Sequence, residues 1–195
     1  MSISKIDVSR GLQNFDDMYK SRIVSHFRDN RGVSNPHQIP GIEKIIVHAR
    51  VSHLRITSIS NDGKQKKEID QLSDNVGRIT GQLPIICLAK KSVAEFKLRE
   101  GMAVGVKVTL RKKNMYNFFQ KLVIMALPRS RKFEGLKAKS LDKGLNLNMT
   151  INDSNVFHEN EFALKHSLQV TIVTKNAQSR EDALELFSQF SLPIN

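Results

Sequence analysis

The stretch Met102-Ala103-Val104-Gly105-Val106-Lys107-Val108-Thr109-Leu110-Arg111 decides the fold of this chain. Apolar side chains occupy every second position, namely Val104, Val106, Val108 and Leu110. The positions between them hold Gly105, Lys107, Thr109 and Arg111. Because successive side chains of a strand point to opposite sides, this alternation predicts a strand with one buried face and one polar, basic face.

Other strand and helix patterns surround this stretch without a strict β-α-β order. Further strands are predicted at Ile42–Arg50, Ile85–Leu88, Leu145–Ile151 and His166–Thr174. Helices are predicted from Val8 to Phe27, from Ile69 to Ile79, from an N-cap at Asn114 to Pro128, and after a capping box at Ser179–Asp182. A turn is predicted at Asn61-Asp62-Gly63. The mixture predicts an α+β fold in which helices cover one face of a mainly antiparallel sheet.

The second face of the predicted sheet is polar and basic. It carries Lys44, His48, Lys107, Thr109, Arg111, Gln169 and Thr171. The segment from Ala89 to Lys139 holds 14 Lys or Arg against 3 Asp or Glu, so it accounts for nearly all of the net charge of +12. Such a concentrated charge favours a polyanionic partner, with nucleic acid as the leading candidate and a solvated basic face as the alternative.

Several kinds of chemistry lack the residues that they need. The single cysteine, Cys87, excludes an intrachain disulfide, and its apolar neighbours predict a buried structural thiol. The spacing of the histidines predicts no metal site, and no paired carboxylates predict a catalytic centre. We therefore expect no cofactor, no catalytic residue and no enzymatic activity. Without a long apolar run, we also expect a soluble intracellular protein with no membrane partner.

Four sequence motifs between Ile79 and Ser140 resemble those of the ribosomal protein L-five family. They are Ile79-Thr80-Gly81-Gln82-x-Pro84, Ala89-Lys90-Lys91-Ser92-Val93-Ala94-x-Phe96-Lys97-Leu98-Arg99, Gly105-x-Lys107-Val108-Thr109-Leu110-Arg111, and Ala126-Leu127-Pro128-Arg129-x-Arg131-x-Phe133-x-Gly135-Leu136-x-Ala138-Lys139-Ser140. The resemblance covers about residues 5 to 192. It implies one 5S rRNA-binding domain over residues 1–195, in the central protuberance of the large ribosomal subunit.

The resemblance also implies which residues contact RNA. Gln82, Thr109 and Arg111 match family positions that bind 5S rRNA, and Lys44, His48 and Lys107 share the predicted polar face. A projecting loop at about 89–101 matches the family loop that reaches peptidyl-site tRNA, through Lys90, Lys91, Ser92, Val93, Phe96, Lys97 and Arg99. The region from Arg131 to Asn152 matches the part that meets a small-subunit head protein. Large-subunit rRNA and neighbouring large-subunit proteins are further implied partners.

The chain departs from the family pattern at three places. One is Glu95, which replaces a usually small residue inside an otherwise cationic loop. His48 stands where the family usually has an Asn, and Asp142-Lys143-Gly144-Leu145-Asn146 replaces the usual Asp-Gly-Arg-Gly-Asn. These changes favour an organellar relative in the mitochondrial matrix, with a bacterial cytoplasm or a plastid as alternatives. A non-ribosomal RNA- or tRNA-binding factor on the same scaffold is the alternative function.

Overall fold

The computed structural model describes residues 14–32, 35–50, 62–96, 98–130, 133, 135–136, 138–152, 156–157 and 167–193. Five strands form one sheet in the order β2-β3-β1-β5-β4. They are β1 (Gly41–Arg50), β2 (Ile85–Leu88), β3 (Ala103–Leu110), β4 (Leu147–Ile151) and β5 (Leu168–Lys175). Together with the helices, this sheet confirms the predicted α+β fold.

Within the described part of the chain, four helical regions accompany the sheet. Helix α1 comprises Phe15–Met18, a π-helical turn at Tyr19–Ile23 and Val24–Arg31, and α2 spans Asp62–Thr80. Helix α3 comprises Lys112–Lys121, a second π-helical turn at Leu122–Ala126 and Leu127–Arg129, and α4 spans Arg180–Gln189. Single 3-10 turns lie at Pro36–Gln38 and Ala138–Ser140. All four predicted helices are therefore present, although Val8 and Leu12 lie outside the described residues.

The chain forms two compact units. The first unit comprises Met1–Ile45, Arg111–Met149 and Ile172–Asn195, and the second comprises Ile46–Leu110 and Thr150–Thr171.

Aromatic side chains build the core of the first unit. The ring of Phe119 lies 5.1 Å from that of Phe190 and 5.5 Å from that of Phe15, both in edge-on geometry. Tyr19 stacks on Phe190 at a centroid distance of 6.5 Å. Edge-on and offset contacts of this kind are the arrangements that aromatic quadrupoles favour. They join α1, α3 and the end of α4 in one apolar cluster.

The core of the second unit lies between α2 and β3. The helix turns Ile69, Leu72, Val76 and Ile79 inward, and all four are buried. Val106 and Val108 are buried as well, while Lys107 between them is exposed. Helix α2 packs on β3, so the apolar half of the alternation faces the helix. The polar half is left on the other side.

Three local predictions were wrong. Asn114 is not the N-cap of α3, because the chain passes directly from β3 into the helix and Arg111 holds the cap position without a capping side chain. Asp62 and Gly63 do not form a turn but begin α2. Cys87 is half-exposed rather than buried, since β2 is a four-residue strand at one end of the sheet.

Candidate nucleic-acid interface

In the second unit, polar side chains of β1 and β3 occupy the positions between buried ones. His48 is half-exposed between the buried Val47 and Ala49. On β3, Lys107 is exposed and Thr109 is half-exposed. The strand alternation of the sequence therefore leaves these three predicted RNA-binding side chains accessible, as an interface with a polyanion requires.

The end of α2 fixes Gln82 beside β3. The hydroxyl of Thr80 lies 2.7 Å from the carbonyl oxygen of Val76 and 3.1 Å from that of Gln82. Gly81 adopts the left-handed conformation (φ +70°) that commonly ends a helix. From the position that follows, the side-chain amide of Gln82 donates to the carbonyl oxygen of Thr109 at 3.3 Å. Two of the predicted RNA-binding residues are thereby joined.

The imidazole of His48 lies in a cationic environment. Burial lowers its pKa below the ordinary value of 6.5, and the charges of Arg50 and Lys107 lower it further. His48 is therefore mainly neutral at pH 7, and a neutral ring has one nitrogen that donates and one that accepts a hydrogen bond. A neutral imidazole in place of the family's amide keeps a hydrogen-bonding function at this position.

In the first unit, one carboxylate lies beside two of the predicted RNA-binding cations. Glu43 Oε1 is 3.5 Å from the amine of Lys44 and 3.7 Å from the guanidinium of Arg111. The side chain of Arg111 is 58% exposed, so solvent weakens these contacts. The side chain of Lys44 is 28% exposed, so Arg111 is the more accessible of the two cations. Glu43 was not predicted, because a single acidic residue inside a strand carries no signal of its own.

The projecting loop of the second unit is a structured hairpin. At its base, the amide of Ala89 donates to the carbonyl of Met102 at 2.8 Å. Nearer its tip, Val93 and Leu98 exchange two backbone hydrogen bonds of 3.0 Å. The hydroxyl of Ser92 accepts from the amide of Glu100 at 2.9 Å. These bonds connect the two arms of the hairpin.

The hairpin presents most of its predicted contact residues to solvent. Lys90, Lys91, Ser92 and Arg99 are exposed, and Val93 is half-exposed. Phe96 at the tip is 56% exposed. Lys97 lies outside the described residues. The hairpin therefore combines accessible cations with an accessible aromatic ring.

Apolar residues beside this polar surface were not predicted to be accessible. Leu83 is 81% exposed and Ile85 is 68% exposed. The sequence shows only a continuous apolar run here, which is also typical of a buried strand. Nothing in its composition distinguishes a strand at the end of a sheet from one in the middle.

The segment from Asp142 to Asn146 forms a closed turn in the first unit. Asp142 Oδ1 accepts from the amide of Asn146 at 2.8 Å, and the Asp142 amide donates to the Asn146 carbonyl at 3.0 Å. Hydrogen bonds from Asn146 also lower the pKa of the Asp142 carboxyl. The turn therefore forms although its sequence departs from the family pattern.

Neither a metal-ligand cluster nor a membrane-spanning helix occurs among the described residues. They contain no group of three His, Cys, Asp or Glu side chains that could hold a metal ion. Among the described helices, none is long and apolar enough to cross a membrane.

Comparisons with known proteins match nearly the whole chain. The family model of ribosomal protein L5 matches residues 35–99, and the model of the C-terminus of the same ribosomal family matches residues 103–194. Large ribosomal subunit protein uL5 of Helicobacter hepaticus is 37% identical over 91% of this chain and 95% of its own length. The proteins of the same name from Halothermothrix orenii and Ruthia magnifica are 40% and 38% identical, over 92% and 94% of this chain and over 97% and 99% of their own lengths.

Proposed function

Because the chain belongs to the ribosomal L5 family, we propose that it binds 5S rRNA in the central protuberance through the polar side of its sheet. Family membership makes it a structural, non-enzymatic protein of the large ribosomal subunit. It also favours a ribosomal component over a non-ribosomal factor on the same scaffold. Within that frame, the proposal rests on one observation: Lys107 is exposed on β3 between the buried Val106 and Val108.

A phosphate backbone fits this side of the sheet chemically. Lys107 in the second unit and Arg111 in the first supply charges that can neutralise phosphates. Gln82 and the neutral His48 supply directional hydrogen bonds, which suit ribose hydroxyls and base edges. Charge thus provides affinity, and the polar side chains provide selectivity.

The salt dependence of RNA binding tests the proposal. Each phosphate that a cation neutralises releases condensed counterions, so affinity falls with salt in proportion to the number of contacts. We expect the double variant Lys107→Ala, Arg111→Ala to bind 5S rRNA more weakly and to lower the slope of log affinity against log salt by roughly 1.4 to 1.8.

The control removes the same number of charges elsewhere. Lys20 and Lys143 are exposed and lie outside the proposed surface, so their double alanine variant should keep the wild-type slope. If both double variants had the same slope as the wild type, Lys107 and Arg111 would not contact phosphates and the proposal would fail.

The hairpin at 89–101 is proposed to contact peptidyl-site tRNA. Its exposed cations and the exposed ring of Phe96 suit the phosphates and riboses of a folded RNA. Replacing Lys90, Lys91, Lys97 and Arg99 together by alanine should weaken tRNA retention on ribosomes and spare 5S rRNA binding. An equal loss of both activities in filter binding would contradict two separate RNA contacts.

Three further proposals concern the extent of the domain, a protein partner and the organelle. Residues 1–195 act as a single rRNA-binding domain, and the region from Arg131 to Asn152 meets a small-subunit head protein. We also propose that the protein belongs to a mitochondrial ribosome, because His48 and the Asp142–Asn146 turn depart from the family pattern. The relatives compared above are bacterial proteins. Fractionation of the native cells would test the last point, and recovery in cytosolic ribosomes alone would contradict it.

A further inference from the structure

Four large apolar side chains lie exposed at one end of the sheet in the second unit, namely Leu83, Ile85, Ile86 and Leu88. Leu83 is 81% exposed and Ile85 is 68% exposed, which is more than any other large apolar residue among those described. Single exposed apolar residues are common on protein surfaces and need no explanation. Two of them next to a cationic surface indicate a contact with a partner.

The register of the sheet places Ile85 beside Lys107. Ile85 is the antiparallel partner of Lys107, and Ile86 is the partner of Val106. Directly opposed residues of an antiparallel pair lie on the same face, about 5 Å apart at their Cβ atoms. Since Lys107 is exposed and Val106 is fully buried, Ile85 lies on the polar face, and Ile86, which is 43% exposed, lies on the opposite face.

Leu83 borders the same group of residues. It follows Gln82 directly, and the side chain of Gln82 is bonded to the carbonyl of Thr109 on β3. Polar, cationic and apolar side chains thus adjoin one another along β2 and β3.

This combination favours a nucleotide as the occupant. The ammonium group of Lys107 favours an anionic group on the partner. The exposed side chains of Leu83 and Ile85 favour an apolar group next to that anion. A nucleotide outside a duplex offers both, because its phosphate adjoins a ribose and a base whose flat face is free to be covered. Paired nucleotides do not offer the base face, since it is stacked within the helix.

We propose that Leu83 and Ile85 form an apolar platform for the base or ribose of an unpaired 5S rRNA nucleotide, whose phosphate contacts Lys107. The platform rests on the proposed function, because it assigns a subsite within the same RNA-binding surface. The platform adds an apolar contact to the electrostatic contact made by Lys107. The two contributions to binding affinity can therefore be measured separately.

Salt dependence separates the two kinds of contact. A phosphate contact releases counterions and contributes to the salt slope, whereas an apolar contact releases none. Removing the platform should therefore weaken binding by the same factor at every salt concentration. From the area of one partly covered isoleucine, we expect a loss of about five- to tenfold.

The test measures filter binding of the full chain to 5S rRNA over a salt series. Ile85→Ser should weaken binding about five- to tenfold with an unchanged slope. Ile86→Ser is the matched control, because it makes the same change in the same strand on the opposite face, and it should bind within about twofold of the wild type. Ile85→Leu, which keeps the apolar surface, should restore wild-type binding.

The outcomes separate this inference from the proposed function. If Ile85→Ser bound like the wild type while Lys107→Ala bound more weakly, the platform would be refuted and the RNA-binding surface would stand. If Lys107→Ala had no effect, the proposed function itself would fail.

Two further results would also overturn the platform. One is a lower salt slope for Ile85→Ser, which would mean that the change disturbs a phosphate contact. The other is normal 5S rRNA binding with failed incorporation into large subunits, which would assign Ile85 to a partner other than 5S rRNA. Should Ile85→Ser fold poorly by thermal melting, Leu83→Ser, which lies outside the strand, provides the same test.

Discussion

Gly105 is a residue whose replacement the second unit does not tolerate. A Cβ atom at this position would lie 2.4 Å from the carbonyl oxygen of Ala49 and 3.2 Å from the Cα atom of Arg50. Both are backbone atoms, so no side chain can move aside to make room. The glycine lets β1 and β3 approach closely, and the polar residues on the two strands depend on that approach.

We therefore expect Gly105→Ala to lower the free energy of unfolding by about 1–3 kcal/mol, the usual cost of overpacking. Chemical denaturation measures this change. Gly77→Ala is the control and should not lower the stability. The nearest atom to a Cβ at this position is 3.6 Å away, and alanine favours a helix by about 1 kcal/mol over glycine. Equal stability of the two variants would contradict the close approach at Gly105.

His48 gives the folded chain a pH dependence of known sign. Its pKa in the folded state lies below 6.5, so the unfolded chain binds more protons at this residue below about pH 6.5. Its contribution to stability should therefore fall as pH decreases from 6.5 to the folded-state pKa and remain constant below it.

An NMR titration of the His48 ring should give a midpoint below 6.5, and Lys107→Ala should raise it by removing a nearby charge. The stability of the His48→Asn variant should fall less than that of the wild type between pH 6.5 and the measured midpoint. A wild-type midpoint at or above 6.5 would contradict the cationic environment described for this residue.

Among the elements, α4 begins with a complete capping box. The hydroxyl of Ser179 accepts from the amide of Asp182 at 3.1 Å, and Asp182 Oδ2 accepts from the amide of Ser179 at 3.1 Å. Two amides at the helix start are thereby satisfied. The cap fixes the beginning of the helix that leads to Phe190 in the aromatic core of the first unit.

Ser179→Ala should lower the free energy of unfolding by about 0.5–2 kcal/mol, because the amide of Asp182 loses its acceptor. Thermal or urea unfolding measures the loss. The matched control is Ser188→Ala, since Ser188 is exposed near the end of the same helix and its hydroxyl donates to the carbonyl of Glu185 within that helix. A loss as large for Ser188→Ala as for Ser179→Ala would assign the effect to helix propensity instead of the cap.

The elements with strong local signals were predictable from the sequence. Alternation identified β1, β3 and β5, and the Ser179–Asp182 spacing identified the start of α4. The N-cap of α3 was not predictable in this way, because the direct passage from β3 makes Arg111 the cap without any capping side chain. The exposure of Ile85 depends on the position of β2 in the sheet order, which a local pattern does not contain.

For the whole molecule, the distribution of charge along the sequence predicted the kind of partner but not the arrangement of the surface. The basic segment from Ala89 to Lys139 includes the hairpin, β3 and α3, and these elements belong to two compact units. Counting charges did not show that Glu43 lies beside Lys44 and Arg111. Nor did it show that Gln82 is held to β3 by a hydrogen bond, since the contacts Glu43–Arg111 and Gln82–Thr109 join residues far apart in sequence.

The central claim is that the exposed polar side of the sheet lies against 5S rRNA. Site-directed crosslinking from position 107 in intact large subunits tests it most directly, because the side chain of Lys107 is exposed and its neighbours in sequence are buried. We expect 5S rRNA to be the RNA that is crosslinked to position 107. A crosslink to protein alone, or no crosslink in assembled subunits that carry the modified chain, would contradict it.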